Sequence, residues 1–159
     1  MTDSPIWYSI LVLKLSVLIG NGRGGFGSPI ASSSDAEFLG AADLNGDGNI
    51  DLVTTNSYDN FIVMLGNGLG QFTVANIYSI TPSNIRSLAI GDYNGDGFLD
   101  VALPNGQMFL GNGNGSFRAA SDFSSNATVV ATGDFNGDGI PDLVTTVDTI
   151  RLRRDQASF

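Results

Sequence analysis

The chain has 159 residues and a 42% hydrophobic fraction, which is one domain's length with enough apolar material for a core. It contains no cysteine and no histidine, which excludes a disulfide scaffold, a Cys-ligated zinc site and histidine acid–base catalysis. Sixteen acidic against seven basic residues give a net charge of −9, and so acidic a chain lacks the clustered Lys and Arg that nucleic-acid binding needs.

In chain order, the first feature is an apolar run, IWYSILVLKLSVLI, over residues 6–19. It superficially resembles a secretory leader. However, Asp3 precedes it without any Lys or Arg, Lys14 interrupts it, and no small-residue cleavage site is evident. Fourteen residues are also too few to span a bilayer. The expectation is a pair of buried strands and no membrane insertion. A glycine-rich segment, GNGRGGF (20–26), follows, and then an acidic segment, DLNGDGNID (43–51). Apolar runs at Leu52–Thr55, Phe61–Leu65 and Phe72–Val74 are β-branched or aromatic and are separated by Gly, Asn, Asp and Ser, the signature of short strands and turns. The same pattern then returns, with GNGLGQF (66–72), DYNGDGFLD (92–100), GNGNGSF (111–117) and DFNGDGIPD (134–142). The register carries forward to RRDQASF (153–159), which keeps only its closing Phe159.

The acidic segments start 49 and 42 residues apart, and the closing aromatics Phe26, Phe72 and Phe117 are spaced by 46 and 45. Eight Asn-Gly dipeptides supply hairpin turns, and no stretch holds a capped 3.6-residue apolar period. A period of about 45 residues with four strands in each predicts an all-β fold of four-stranded antiparallel propeller blades. The predicted division is one repeat domain over 1–159. It has a partial blade at 1–34 (strands two to four), blades at 35–83 and 84–125, and a partial blade at 126–159. About 3.5 blades form an open arc or part of a seven-bladed ring, so the expectation is a piece of a longer chain, or copies that associate to close the ring.

Nine of the sixteen carboxylates lie in the three acidic segments, and the seven outside them balance the seven bases. The formal charge therefore resides in these loops. Each carries Asp at positions 1, 5 and 9, Asn at 3 and Gly at 4 and 6. Calcium takes six to eight oxygen ligands, and a tight turn can bring the side chains at 1, 3 and 5 toward one centre. Position 7 offers a backbone carbonyl, which suits the variety of Asn49, Phe98 and Ile140 there. Magnesium is a poorer match because it demands a strict octahedron. An EF-hand needs Glu at position 12 and flanking helices. Here position 12 is Thr54, Leu103 or Thr145, and the flanks are strand-like.

The pairing of DxNGDGxxD with a downstream GNGxGxF resembles the FG-GAP/VCBS repeat family, the calcium-binding propeller blades similar to those of integrin α-subunit heads. The bacterial-type form is the nearer one, since no literal Phe-Gly…Gly-Ala-Pro cage is present. The resemblance implies that each loop joins strands one and two of a blade. It also implies up to three calcium ions. Their ligands would be Asp43, Asn45, Asp47, the Asn49 carbonyl and Asp51; Asp92, Asn94, Asp96, the Phe98 carbonyl and Asp100; and Asp134, Asn136, Asp138, the Ile140 carbonyl and Asp142.

Other motifs carry less. Gly20, Gly22 and Gly25 match GxGxxG, but Ser28-Pro29 follows where a nucleotide site needs a helix. Asn126-Ala127-Thr128 is a glycosylation sequon, and Arg151, Arg153 and Arg154 form a small basic cluster. Trp7, Tyr8, Tyr58 and Tyr93 could stack on sugars, although core or rim packing is the commoner use. The expectation is a non-enzymatic module of a secreted, surface or periplasmic protein. Calcium would be structural there, serving protein or glycan binding and cell adhesion. The alternative is the propeller portion of a larger carbohydrate-active enzyme, for which this chain offers only a few uncommitted carboxylates such as Asp35, Glu37 and Asp122.

Overall fold

The computed structural model describes residues 14–56, 58–81, 85–120, 122–123 and 127–147. Among them are twelve strands and no helix. Strands β3 (Phe38–Ala42), β4 (Asp51–Asn56), β5 (Asn60–Gly66) and β6 (Phe72–Ser79) form one antiparallel sheet in the order β3-β4-β5-β6. Strands β7 (Ala89–Gly91), β8 (Asp100–Ala102), β9 (Met108–Gly111) and β10 (Phe117–Ala119) form a second sheet in the same sequential order. These are two four-stranded blades. They are flanked by the pairs β1 (Lys14–Val17) with β2 (Ile30–Asp35), and β11 (Ala127–Gly133) with β12 (Asp142–Val147). In chain order we refer to the first to fourth blades, the outer two being described in part.

The all-β expectation holds, and each acidic segment joins the first and second strands of its blade. β1 and β2 match the third and fourth strands of a blade, because the bridge between Gly20 and Phe26 repeats the pairing of Gly66 with Phe72. The apolar run therefore ends in a strand. Leu18 and Ile19, just beyond β1, are about half exposed. The strand expected before β1, the RRDQASF copy with its arginines, Trp7, Tyr8 and Asn126 lie outside the described residues.

Consecutive blades pack face to face, and the strand sequences show why they need to. Along β4 and β5 both faces are apolar, and residues 51–55 and 61–64 are all buried. Alternate residues point to opposite faces. Leu52, Ile62 and Met64 pack with Leu15 of the first blade, whereas Val53, Phe61 and Val63 pack with Val101, Leu103, Phe109 and Phe117 of the third. The next interface places Ala89, Ala102 and Met108 against Val130 and Leu143. First strands lie side by side across the interfaces: Gly40 of β3 has no side chain where Leu88 and Ile90 press in.

The second and third blades meet at an aromatic cluster. Phe61 has no exposed surface, and its ring stacks on Phe109 at 4.7 Å and meets Phe117 edge-on at 5.4 Å. Tyr78 closes the group at 5.6 Å from Phe61. Such pairs add about 0.5–1.5 kcal/mol each beyond the area they bury. Phe61→Ala is therefore expected to destabilise the chain by about 3–5 kcal/mol. Urea unfolding checks this; a loss under about 1 kcal/mol would show that the blades do not depend on this joint.

Candidate metal loops and the hairpins behind them

The three acidic loops share one network of hydrogen bonds. In loop 43–51 the Gly46 N–H donates to Asp43 Oδ1 at 2.8 Å and the Gly48 N–H to Asp43 Oδ2 at 2.9 Å. The Asp47 N–H donates to Asn45 Oδ1 at 2.9 Å, and the Asn49 N–H to Asp47 Oδ1 at 2.7 Å. The Asn45 amide also donates to Asp47 Oδ2 at 3.0 Å. Loop 92–100 repeats this set with Asp92, Asn94 and Asp96, and loop 134–142 with Asp134, Asn136 and Asp138. Asp and Asn favour turns because they bond to backbone two or more residues ahead. The turn also needs left-handed backbone at positions 4 and 6, where Gly46 and Gly48 have φ of 74° and 84°.

Position 9 behaves differently. Asp51 and Asp100 have no exposed surface. Asp51 Oδ2 accepts the Leu44 N–H at 3.0 Å, and Oδ1 accepts the Gly66 N–H at 2.8 Å. Asp100 accepts from Tyr93 at 3.0 Å and Gly111 at 2.9 Å in the same way. Asp142 accepts from Phe135 at 3.0 Å and is half-buried. The buried aspartate thus ties its loop to the first glycine of the GNGxGxF hairpin between the third and fourth strands. That glycine has a second duty. A Cβ on Gly66 would overlap the Ile50 carbonyl oxygen, and one on Gly111 the Leu99 carbonyl oxygen. Position 7 completes the contact, since Asn49 lies against Gly68 and the Phe98 ring covers Gly113.

Among the described residues no three acidic side chains are gathered closely enough to hold a metal by themselves. Position 9 has turned its oxygens to backbone N–H groups, and the side chain at position 3 is an amide. A cation site in these loops would therefore be built around Asp, Asn and Asp at 1, 3 and 5. Each of their oxygens that accepts one N–H keeps a second lone pair. The donors are all oxygens, which suits a hard cation, and water can fill remaining positions.

The electrostatics differ by position. Backbone and side-chain hydrogen bonds from Asn49 and Asn45 hold the exposed Asp47 carboxyl below its ordinary pKa. N–H groups of Gly139 and Gly137 do the same for Asp134. Burial raises Asp100, with Asp96 and Asp92 adding repulsion, although the Gly111 and Tyr93 N–H groups oppose the shift. The sign follows. The turn bonds of Asp47 and Asp134 contribute fully above the ordinary carboxylate range and fade as pH falls, whereas the charge on Asp100 costs more as pH rises through that range. Burial also raises the Tyr93 hydroxyl.

Of the aromatics considered for sugar stacking, Tyr93 packs partly buried against the fourth blade, whereas Tyr58 is 73% exposed on the β4–β5 hairpin. Glu37 and Asp122 are exposed. The lock at position 9 was not legible from residue type, since an aspartate that closes a cage and one that caps a hairpin look alike. The recurrence of Gly66 and Gly111 as the first residue of the glycine-rich motif that follows each of the first two acidic segments was the available signal.

Two adjacent stretches, residues 43–103 and 104–145, match the family described as FG-GAP-like repeat, and together they cover more than half of the chain. The chain belongs to the FG-GAP-like repeat family. A comparison with curated proteins finds no match. The FG-GAP repeats here are thus acidic loop and glycine hairpin locked together by one buried carboxylate.

Replacing Asp51 or Asp100 by Ala leaves two backbone N–H groups without their acceptor, at about 1–3 kcal/mol each. The expected loss is about 2–5 kcal/mol by urea denaturation, and it persists in EDTA. A variant as stable as the parent in EDTA would show that position 9 has no structural role.

Proposed function

We propose that the three loops bind calcium and that the ions stabilise the blades. The supporting observation is the threefold recurrence of one turn, in which Asp, Asn and Asp at 1, 3 and 5 are already ordered by the same backbone N–H groups. Asp43, Asn45 and Asp47, with their counterparts Asp92, Asn94, Asp96, Asp134, Asn136 and Asp138, would supply the side-chain oxygens. The carbonyls of Asn49, Phe98 and Ile140 would supplement them, and Asp51, Asp100 and Asp142 would add a lone pair each. A bound cation supplies positive charge where the chain's formal −9 is concentrated.

Extracellular calcium modules bind in the 10⁻⁴–10⁻³ M range, which suits the calcium available outside cells. We therefore place the chain in a secreted, surface or periplasmic protein. Its role would be to hold loops rigidly for a protein or glycan partner, as in adhesion, without catalysis of its own. The blade architecture supports this reading by carrying exposed hairpins such as the one bearing Tyr58 on a packed scaffold.

At free calcium ten times the dissociation constant, each site adds about 1.4 kcal/mol, and three add about 4 kcal/mol. Thermal unfolding with calcium and with EDTA is expected to differ accordingly, with magnesium giving a smaller shift. Asp47→Ala, Asp96→Ala and Asp138→Ala should each remove at least about a third of the calcium-dependent gain while costing little in EDTA. Identical melting with and without calcium would end this reading.

A further inference from the structure

The structure connects the loop of one blade to the loop of the next. The GNGNGSF hairpin of the third blade leans over the second blade, where the Gly115 N–H donates to the Leu44 carbonyl at 3.2 Å. Leu44 is position 2 of loop 43–51. Its own N–H donates to Asp51, and its side chain is buried between the two blades. At the other end, the hairpin is rooted by the Gly111 N–H on Asp100, the last residue of loop 92–100. The hairpin between is stiff. The Asn112 N–H donates to the Ser116 carbonyl at 3.0 Å, and the Ser116 N–H and hydroxyl both donate to Asn114 Oδ1.

Two side chains of the second blade hold this hairpin down. The Asn76 amide donates to the Gly115 carbonyl at 3.1 Å, and the Tyr78 hydroxyl accepts the Phe117 N–H at 2.8 Å. Both stand on β6, and a bulge directs them there. Val63 pairs with Asn76 and Met64 with Val74, so Ala75 is the extra residue. Phe72 packs toward the first blade and Tyr78 toward the third, although the even spacing of an unbroken strand would keep them on one face. Gly115 is itself buried with φ of 77°, and a Cβ there would strike Leu65.

We propose that loops 43–51 and 92–100 are energetically coupled through Asp100, Gly111, Gly115, Leu44 and Asp51, so that calcium in either loop raises the affinity of the other. The proposal rests on the calcium reading above. Ordering loop 92–100 fixes Asp100 and with it the root of the hairpin. The tip of that hairpin then holds Leu44, and Leu44 holds Asp51. Linkage makes the effect reciprocal. Leu44 is buried, and Tyr93, position 2 of loop 92–100, is half-buried against the fourth blade.

The test uses the whole chain labelled with ¹⁵N-glycine and titrated with calcium. Gly46 and Gly48 report loop 43–51, Gly95 and Gly97 report loop 92–100, and Gly115 reports the connection. Asp92→Asn combined with Asp96→Asn disables the second of these loops while keeping one of the two oxygen acceptors of each side chain for its turn. The expected result is about fivefold weaker calcium binding at Gly46 and Gly48 in this variant. Asn76→Ala, which touches neither loop, is expected to reduce that fivefold ratio to near one. Tyr78→Phe serves as a second, milder cut should Asn76→Ala fail to fold. Unchanged affinity at Gly46 and Gly48 in the loop variant overturns the coupling while the calcium reading stands. A ratio that survives the cuts overturns the route through Gly115. If no loop glycine responds to calcium in the parent chain, the calcium reading fails and the coupling falls with it.

Discussion

A buried carboxylate with two backbone N–H groups as its partners is the joint on which the rest of this chain depends. Asp51 and Asp100 have no contact with solvent, yet each sits at the start of a second strand and faces two segments distant in sequence. A charge removed from water is costly unless hydrogen bonds replace its hydration. The loop N–H and the hairpin N–H provide that replacement, and in doing so they fix how the acidic turn sits on the glycine hairpin. Neither motif has an obvious reason to accompany the other in sequence. The joint supplies the reason, because the hairpin glycine must be a donor and must also lack a side chain.

The blade interfaces are built on a different principle. Strands with apolar residues on both faces cannot be satisfied by one partner, so the second and third blades are each packed on two sides. Among the described residues, specific hydrogen bonds also join the blades, such as the Thr81 N–H to Gln107 and the Asn105 amide to the Thr81 carbonyl. The Val130 N–H donates to the Ser87 hydroxyl, which donates in turn to the Val130 carbonyl, and Asn76 and Tyr78 reach the hairpin of the third blade. The hydrophobic faces supply adhesion between blades. These hydrogen bonds supply register.

Much of this was legible in the sequence. The spacing of Phe26, Phe72 and Phe117 gave the repeat, and the runs at Leu52–Thr55 and Phe61–Leu65 fell in β4 and β5. The acidic turns followed from residue type alone, because Asp, Asn and Gly in that order leave few other conformations. What escaped was information held between repeats. The aromatic cluster of Phe61, Tyr78, Phe109 and Phe117 draws on four strands of two blades, and no local pattern announces which aromatics will meet. The face that Asn76 presents was hidden for a sharper reason: strand alternation read from Phe72 assigns it to the opposite side.

That misassignment points to what Ala75 does. A strand of fixed pleat can serve only one neighbour with a given parity, yet β6 serves the first blade at its start and the third at its end. One small residue with no cross-strand partner lets it do both. Parity is therefore a hidden variable of the repeat. Removing a single alanine would leave nearly every letter of the blade in place, and an alignment would record a trivial gap. The count from Phe72 to Tyr78 would become odd, so the pleat alone would keep Asn76 and Tyr78 toward the third blade, opposite Val63 and Phe61, with no bulge. In a fold assembled from copies, the unit of inheritance at this point is an odd or even number of residues together with the bulge that matches it.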